Sequence, residues 1–460
     1  VKRLLVVVWC VVILAIPAVS RAGALEDYEG AHDISIAAAA SVAAYSDRIG
    51  EIASRYLEHN GWQIDRYVQT QGHDGARFLL AKRDDSEGRT TYILAFVGTE
   101  NAADINYDLQ VGKVYFDGNS IESFKANAAR KNIPDTEPKV HRGFFEFVAE
   151  GLAAKTRSAG PAPRLLTDIL LKDKDSKIYL TGHSLGGAAA TLAGAGMISM
   201  GVNPAQIKVI TFGAPAVGNA AFAAKFAPTL NLTRIVISGD PVTGVLQDLI
   251  GGYKQFGREI RWFLPDYADQ PHRVTEYVDL ALKNYFDKRR EARQAGVEIA
   301  EPVAVEHGSG KKVYIAPLKD TLPEPLRAEF WYMQEALQDE YREKLPGCTL
   351  APEGDTDDWP GKAAAAGYHW VVVPELSVTS LKREQHLYYI TVSQTVYDAR
   401  TGAIVAMDSF STGTYNLTPL EAFIHDFKGI NYTQEPWIIN HKREGMTAGR
   451  VSVDTATLVH

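Results

Sequence analysis

The sequence has little cysteine, no excess of positive charge and no low-complexity tract. Only Cys10 and Cys348 occur in 460 residues. A chain this long buries enough core without disulfide staples. Cys10 falls in a segment expected to be removed, so Cys348 stands alone and no internal disulfide is expected. Lys and Arg number 48 against 56 Asp and Glu, a formal net charge of -8 at pH 7. That balance argues against nucleic acid, which requires a basic face, and offers an anionic membrane no attraction. The 12 histidines show no paired metal-ligand spacing, so neither metal nor cofactor is expected.

What is present at the start reads as an address. Lys2 and Arg3 precede an apolar run, Leu4 to Val19, which is shorter than the roughly 20 residues of a spanning helix. Small residues follow, with Ala22-Gly23-Ala24 as a cleavage site. Residues 1–24 are therefore read as an export signal, an uncleaved membrane anchor being the alternative. The expected location is periplasmic or secreted. One exported chain with one thiol suits a bacterial envelope better than a eukaryotic secretory route.

From Ile34 onward helical and strand patterns alternate. Ile34 to Tyr45 is an Ala-rich, buried helix, and Ser46 to Asn60 continues helically up to Gly61. Strands are expected over Arg77–Lys82, Tyr92–Phe96, Lys177–Thr181, Ile207–Phe212 and Thr233–Ser238, most of them near-continuous apolar runs. Helices are expected over Phe144–Lys155, Gly186–Met200, Asn219–Phe226 and Val274–Tyr285. This alternation predicts an α/β fold, a mostly parallel sheet with helices on both faces, over residues 25–286. A charged stretch from Asp287 marks a linker, 287–311. Residues 312–432 then form a small α+β domain, with a strand (Val313–Leu318), helices (Glu324–Lys344, Lys362–Ala366) and three strands (Trp370–Val373, Leu387–Tyr397, Ala403–Ser409). Phe330, Trp331 and Tyr341 in that domain are expected in its core. A polar tail, 433–460, closes the chain.

One strand runs straight into Gly182-His183-Ser184-Leu185-Gly186 and an Ala-rich helix. Strand, tight turn and helix are the context of a nucleophile elbow, where a Ser hydroxyl projects at the edge of a sheet. A hydroxyl needs a base, and the base an orienting carboxylate, in the chain order Ser, acid, His. Asp240 ends a later strand through Gly239 and is preferred to Asp248, Asp266 and Asp269. His272, just ahead of a helix, is preferred to His307 and His369. His141 and His183 are read as structural. Gly308-Ser309-Gly310-Lys311 lacks the first glycine of a phosphate loop, because Val305 stands there, and is read as linker.

Six blocks in order resemble the class 3 lipase family: Ala95-Phe96-Val97-Gly98-Thr99, Val140-His141-Arg142-Gly143-Phe144, the elbow through Gly187, Thr211-Phe212-Gly213-Ala214-Pro215, Gly239-Asp240-Pro241-Val242, and His272 with Tyr277. The resemblance covers residues 34–286. It implies Ser184 as nucleophile, Asp240 as acid, His272 as base, and Thr99 with Leu185 as the oxyanion hole. Val97 departs from the family's usual Arg, and Gln255 stands where relatives often carry His. In relatives the lid follows the first oxyanion residue; here Asn101 to Asp108 is polar, and Tyr115, Phe116, Ile121 and Phe124 are candidates for a second cover.

The expected activity is hydrolysis of carboxylic esters, with a lipid or small ester as substrate and transient contact with a lipid interface. A phospholipase using the same triad is the first alternative. A non-catalytic binding protein on a hydrolase fold is the second. The C-terminal domain is expected to dock an envelope partner.

Overall fold

A computed structural model describes residues 20–45, 48–68, 77–98, 112–152, 155–156, 164–245, 251–299, 312–345, 348–351, 359–380 and 387–431. It divides into two compact units, meeting in sequence at Ile299 and Ala300.

Among the described residues the main sheet of the first unit has seven strands: β1 (Gln63–Val68), β2 (Arg77–Asp84), β3 (Thr90–Phe96), β4 (Lys177–His183), β5 (Ile207–Phe212), β6 (Leu232–Ile237) and β7 (Arg258–Trp262). Each pairs with its neighbour in chain order. β1 to β3 are antiparallel, and every pairing from β3 to β7 is parallel. The central strands are apolar on both faces because both are covered. Leu80, Leu94, Leu180 and Val209 point into one core, with Ala188 to Leu192 of helix α4 (Leu185–Ser199) and Val148 of α3 (Arg142–Leu152). Leu79, Ile93 and Ala95 point the other way, against α1 (Arg21–Ala43) and Leu57 of α2 (Arg48–His59). Further along that face, Ile210, Phe212, Ile235 and Ile237 meet Ile34 and Ala37 of α1 and Tyr277 and Ala281 of α5 (Val274–Gln294).

α1 is buried at every position from Ile34 to Ala43, as a helix stretch apolar nearly all round must be. Polar pins fix it to the sheet. Asp33 accepts from Tyr179 Oη at 3.1 Å and Lys208 Nζ at 2.6 Å, and Ser41 Oγ lies 2.9 Å from Thr181 Oγ1.

Several boundaries differ from the sequence expectation. α5 runs to Gln294, so the charged stretch from Asp287 is helix and not linker. Its ion pairs, Arg290 with Asp287 at 2.9 Å and Lys288 with Glu291 at 2.7 Å, lie one turn apart on the helix surface, while Arg289 and Ala292 are buried. α1 begins at Arg21, with Ala24 buried against Ala292 and Val297, so the expected cleavage site falls in its first turn. α3 stops at Leu152, and Lys155–Thr156 pairs as a short strand with Arg164–Leu165. Strands β1 and β7 were not expected. No helix among the described residues is long and apolar enough to cross a membrane.

The second unit holds a five-stranded sheet: β8 (Val313–Ile315), β9 (Thr349–Leu350), β10 (Trp370–Ser380), β11 (Tyr388–Asp398) and β12 (Ile404–Gly413), in the order β9-β8-β10-β11-β12. The long hairpin partners explain why β10 extends seven residues past the expected Val373: each residue to Ser380 is paired with β11. The expected helix from Glu324 is a 3-10 segment to Glu329 followed by α6 (Phe330–Lys344). After α7 (Trp359–Ala365), an unexpected helix, α8 (Pro419–Asn431), packs on β11 and β12 and against α6. Tyr341 is fully buried and donates to Gln394 Oε1 at 2.7 Å, whereas Phe330 and Trp331 are only half-buried, contrary to the core expectation. Residues 432–460 and positions 300–311 of the expected linker lie outside the described residues.

Candidate active site

β4 delivers its last residue, His183, into a turn whose corner is Ser184. Ser184 has φ 57° and ψ −123°, a left-handed conformation that costs a non-glycine residue of order 1–3 kcal/mol. The turn is over-determined: Ser184 N–H donates to Phe212 O at 2.9 Å, and its carbonyl accepts from Gly187 and Ala188 at 3.0 and 3.2 Å. The flanking glycines are sterically obligatory. A Cβ on Gly182 would sit 2.4 Å from the Gly186 carbonyl carbon, and one on Gly186 would sit 2.2 Å from Phe96 O. Strand and helix therefore touch backbone to backbone, and the serine is thrust out at the carboxyl ends of the strands.

The residues that chain order suggested meet here. His272 Nε2 lies 3.0 Å from Ser184 Oγ. Its Nδ1 lies 2.9 Å from each carboxylate oxygen of Asp240. A carboxylate only accepts, so Nδ1 carries the proton and Nε2 presents a lone pair to the serine hydroxyl. Asp240 follows β6, and its side chain is fully buried while that of His272 keeps 16% exposure. The carboxylate is compensated on both oxygens: Val242 N–H donates to Oδ1 at 2.8 Å, and Tyr277 Oη donates to Oδ2 at 2.6 Å. Burial and the neighbouring Asp240 charge hold the Tyr277 phenol far above its ordinary pKa, so it remains a donor. Tyr277 Oη in turn accepts from Ile237 N–H at 3.1 Å.

Leu185 is the first residue of α4, where a backbone N–H has no intrahelical partner and the helix dipole favours negative charge. Thr99, the other expected oxyanion donor, and Asn101 to Asp108 lie outside the described residues. Of the candidates for a second cover, Phe116 and Phe124 are buried in the core with Phe145, Phe222 and Phe226, Ile121 packs against the same cluster, and Tyr115 is half-buried outside it. Gln255 donates to the carbonyls of Ala214 and Thr243 at 3.3 Å each and, among the described residues, to no triad side chain.

His183 and His141 are buried, as structural histidines should be. Two side chains of the site carry no strong sequence signal. Tyr277 enters the sequence only through its spacing from His272, and nothing there indicates that its hydroxyl binds the acid. Tyr45, at the end of the first helical pattern, reaches His183 across 138 positions.

Residues 93–249 match the family described as lipase (class 3), and the remainder is unassigned. Among curated proteins, a phospholipase A1-II 3 of Oryza sativa subsp. indica is 27% identical over 188 residues, covering 38% of this chain and 42% of the relative. A lipase of Caenorhabditis elegans, ZK262.3, is 43% identical over 77 residues, covering 16% and 22%. The chain thus spans less than half the length of the curated relatives it matches. Among solved structures, a lipase from Rhizopus microsporus var. chinensis aligns with a TM-score of 0.40 at 21% identity, over 53% of this chain and 77% of that one.

Proposed function

We propose, for a chain whose residues 93–249 form a class 3 lipase domain, that it is a serine hydrolase of the carboxylic esters of lipids. The observation that carries this reading is the continuous path from Ser184 Oγ to His272 at 3.0 Å and on to Asp240 at 2.9 Å. Ser184 attacks the ester carbonyl as His272 Nε2 takes its proton, and Asp240 stabilises the imidazolium. The developing oxyanion lies against the Leu185 N–H at the head of α4, with Thr99 as the second donor that the family resemblance implies. His272 returns the proton to the leaving alcohol. Water then attacks acyl-Ser184 by the same steps in reverse, releasing the acid.

A second reading keeps the triad and changes the substrate. Several relatives are phospholipases A1-II, which favours a phospholipid ester as the scissile group. We also propose that the protein is periplasmic or secreted, on the basic and apolar order of its first 19 residues, and that residues 312–432 dock an envelope partner.

The test compares the full chain with Ser184→Ala on a short-chain chromogenic ester and on a fluorophosphonate probe. Turnover and labelling by the wild type alone support the reading. Equal labelling of both moves the nucleophile elsewhere, and a wild type that neither turns over nor labels leaves a binding protein on a hydrolase fold. Matched triglyceride and phospholipid substrates then separate the two lipid readings, and cell fractionation tests the location.

A further inference from the structure

The proposed chemistry uses Ser184, His272, Asp240 and Tyr277 but gives no role to a buried pair beside them. His183, the residue before the nucleophile, is 5% exposed, and its Nε2 lies 2.9 Å from the backbone carbonyl oxygen of His272. A carbonyl only accepts, so Nε2 carries the proton and Nδ1 is left an acceptor. The hydroxyl of Tyr45, 3.4 Å from Nδ1, is placed to donate to it. The same hydroxyl fills the space in front of Gly98: a Cβ there would fall 2.6 Å from Tyr45 Oη and 2.5 Å from His183 O. Gly98 immediately precedes Thr99. Three segments therefore converge on two side chains: the chain leaving α1, the strand end leading to the oxyanion residue, and the loop that carries His272.

We infer that Tyr45 and His183 form a positioning relay that holds the backbone of His272, and the chain after β3, in register with Ser184. The inference rests on the hydrolase reading for the meaning of that register. His183 can do this only as a neutral ring. Its imidazole stands 4.7 Å from that of His272, and a charge there would oppose the imidazolium each half-reaction requires. Burial first, and the neighbouring His272 second, lower its pKa well below the usual imidazole range. Tyr277 borders the same ring at 5.6 Å and stays uncharged. The relay thus fixes geometry without contributing charge.

Three substitutions separate positioning from bulk. His183→Leu removes both hydrogen bonds, Tyr45→Phe removes the outer one, and His183→Gln keeps an N–H near the place of Nε2. Each is compared with wild type on a soluble nitrophenyl ester across mildly acid to mildly alkaline pH, after circular dichroism has established its native content. His183→Leu is expected to lower kcat about 100-fold, with KM changed less than about threefold, since a misplacement near 1 Å costs about that much. The acid limb of its kcat/KM profile moves as well, and His183→Gln recovers about tenfold of the loss. Tyr45→Phe is expected to lose about fivefold, the worth of one net hydrogen bond.

A folded His183→Leu variant with wild-type kcat and acid limb overturns the inference. So does a loss that the folded Gln variant leaves unrescued. Should the Leu variant fail to fold, unchanged kcat in both Tyr45→Phe and His183→Gln overturns it equally. Nitrogen-detected NMR titration of His272 in a Ser184→Ala background gives a readout free of turnover. There the Leu substitution is expected to change the His272 titration midpoint, and an unchanged midpoint refutes the relay. A wild type without ester turnover removes the hydrolase reading, while this NMR result still decides whether His183 positions His272.

Discussion

Replacing Tyr277 by Phe deletes one oxygen that makes two buried hydrogen bonds. One is given to the ionised Asp240 at 2.6 Å, and the other is received from Ile237 N–H at 3.1 Å. Tyr277 is 1% exposed, so bulk water cannot replace the hydroxyl. Losing a hydrogen bond to a charge removes about 1.5–3 kcal/mol, and orphaning the Ile237 amide adds about 1–3 kcal/mol. Relaxation and the easier desolvation of Phe recover part of this, so a net loss of about 2–4 kcal/mol in the stability of the first unit is expected. The rate falls less. Asp240 retains Val242 N–H and both contacts to His272, and only one of its supports goes. A tenfold drop in kcat/KM corresponds to about 1.4 kcal/mol in the transition state, and that is the expected scale. Urea titration followed by fluorophosphonate labelling reads the unfolding of this unit alone, because the label reports on an assembled site. A Phe variant whose labelling midpoint and kcat/KM both match wild type would refute the claim that Tyr277 supports the acid.

Two further outcomes follow from the packing of the same unit. Gly186→Ala places a methyl 2.2 Å from Phe96 O, a clash that neither β3 nor α4 can relieve without separating; loss of soluble protein or of more than about 3 kcal/mol is expected, read by thermal unfolding. Glu276, in the first turn of α5, is 5% exposed with Oε2 unbonded, and burial together with Asp279 pushes its carboxyl up to about 7. Between its unfolded pKa near 4.3 and about 7 the native state binds the extra proton, so this residue makes stability fall as pH rises through that window. Glu276→Gln should therefore gain roughly 3 kcal/mol at pH 8 and little at pH 4, and parallel denaturation curves for both proteins at the two pH values would contradict it.

What could be read from the sequence was whatever produces an uninterrupted local signal. β3, β4, β5 and β6 are solid apolar runs because both sheet faces are covered, and the elbow announces itself because backbone contact between strand and helix tolerates only Gly182 and Gly186. Asp240 and His272 were placed by chain order at the ends of ordered elements. Edge elements were missed for the converse reason. β7 reads Arg-Glu-Ile-Arg-Trp, half of it facing solvent, so no apolar run marks it. The charged end of α5 reads as a linker because ion pairs one turn apart look, in sequence, like a disordered charge run. The bonds of Tyr45 to His183 and of Tyr341 to Gln394 join positions 138 and 53 apart, and no local pattern encodes such a pairing.

α5 packs along α1, and Tyr277 and Ala281 share a core with Ile34 and Ala37. The first helix of this unit is thus completed only by its last, and His272 lies two residues ahead of that last helix. A chain still being made would carry the serine without its proton acceptor in place. On the hydrolase reading, the lipids of the producing cell are then exposed to a competent active site only after the two ends of the unit have found each other, so latency is a by-product of the order in which the fold closes.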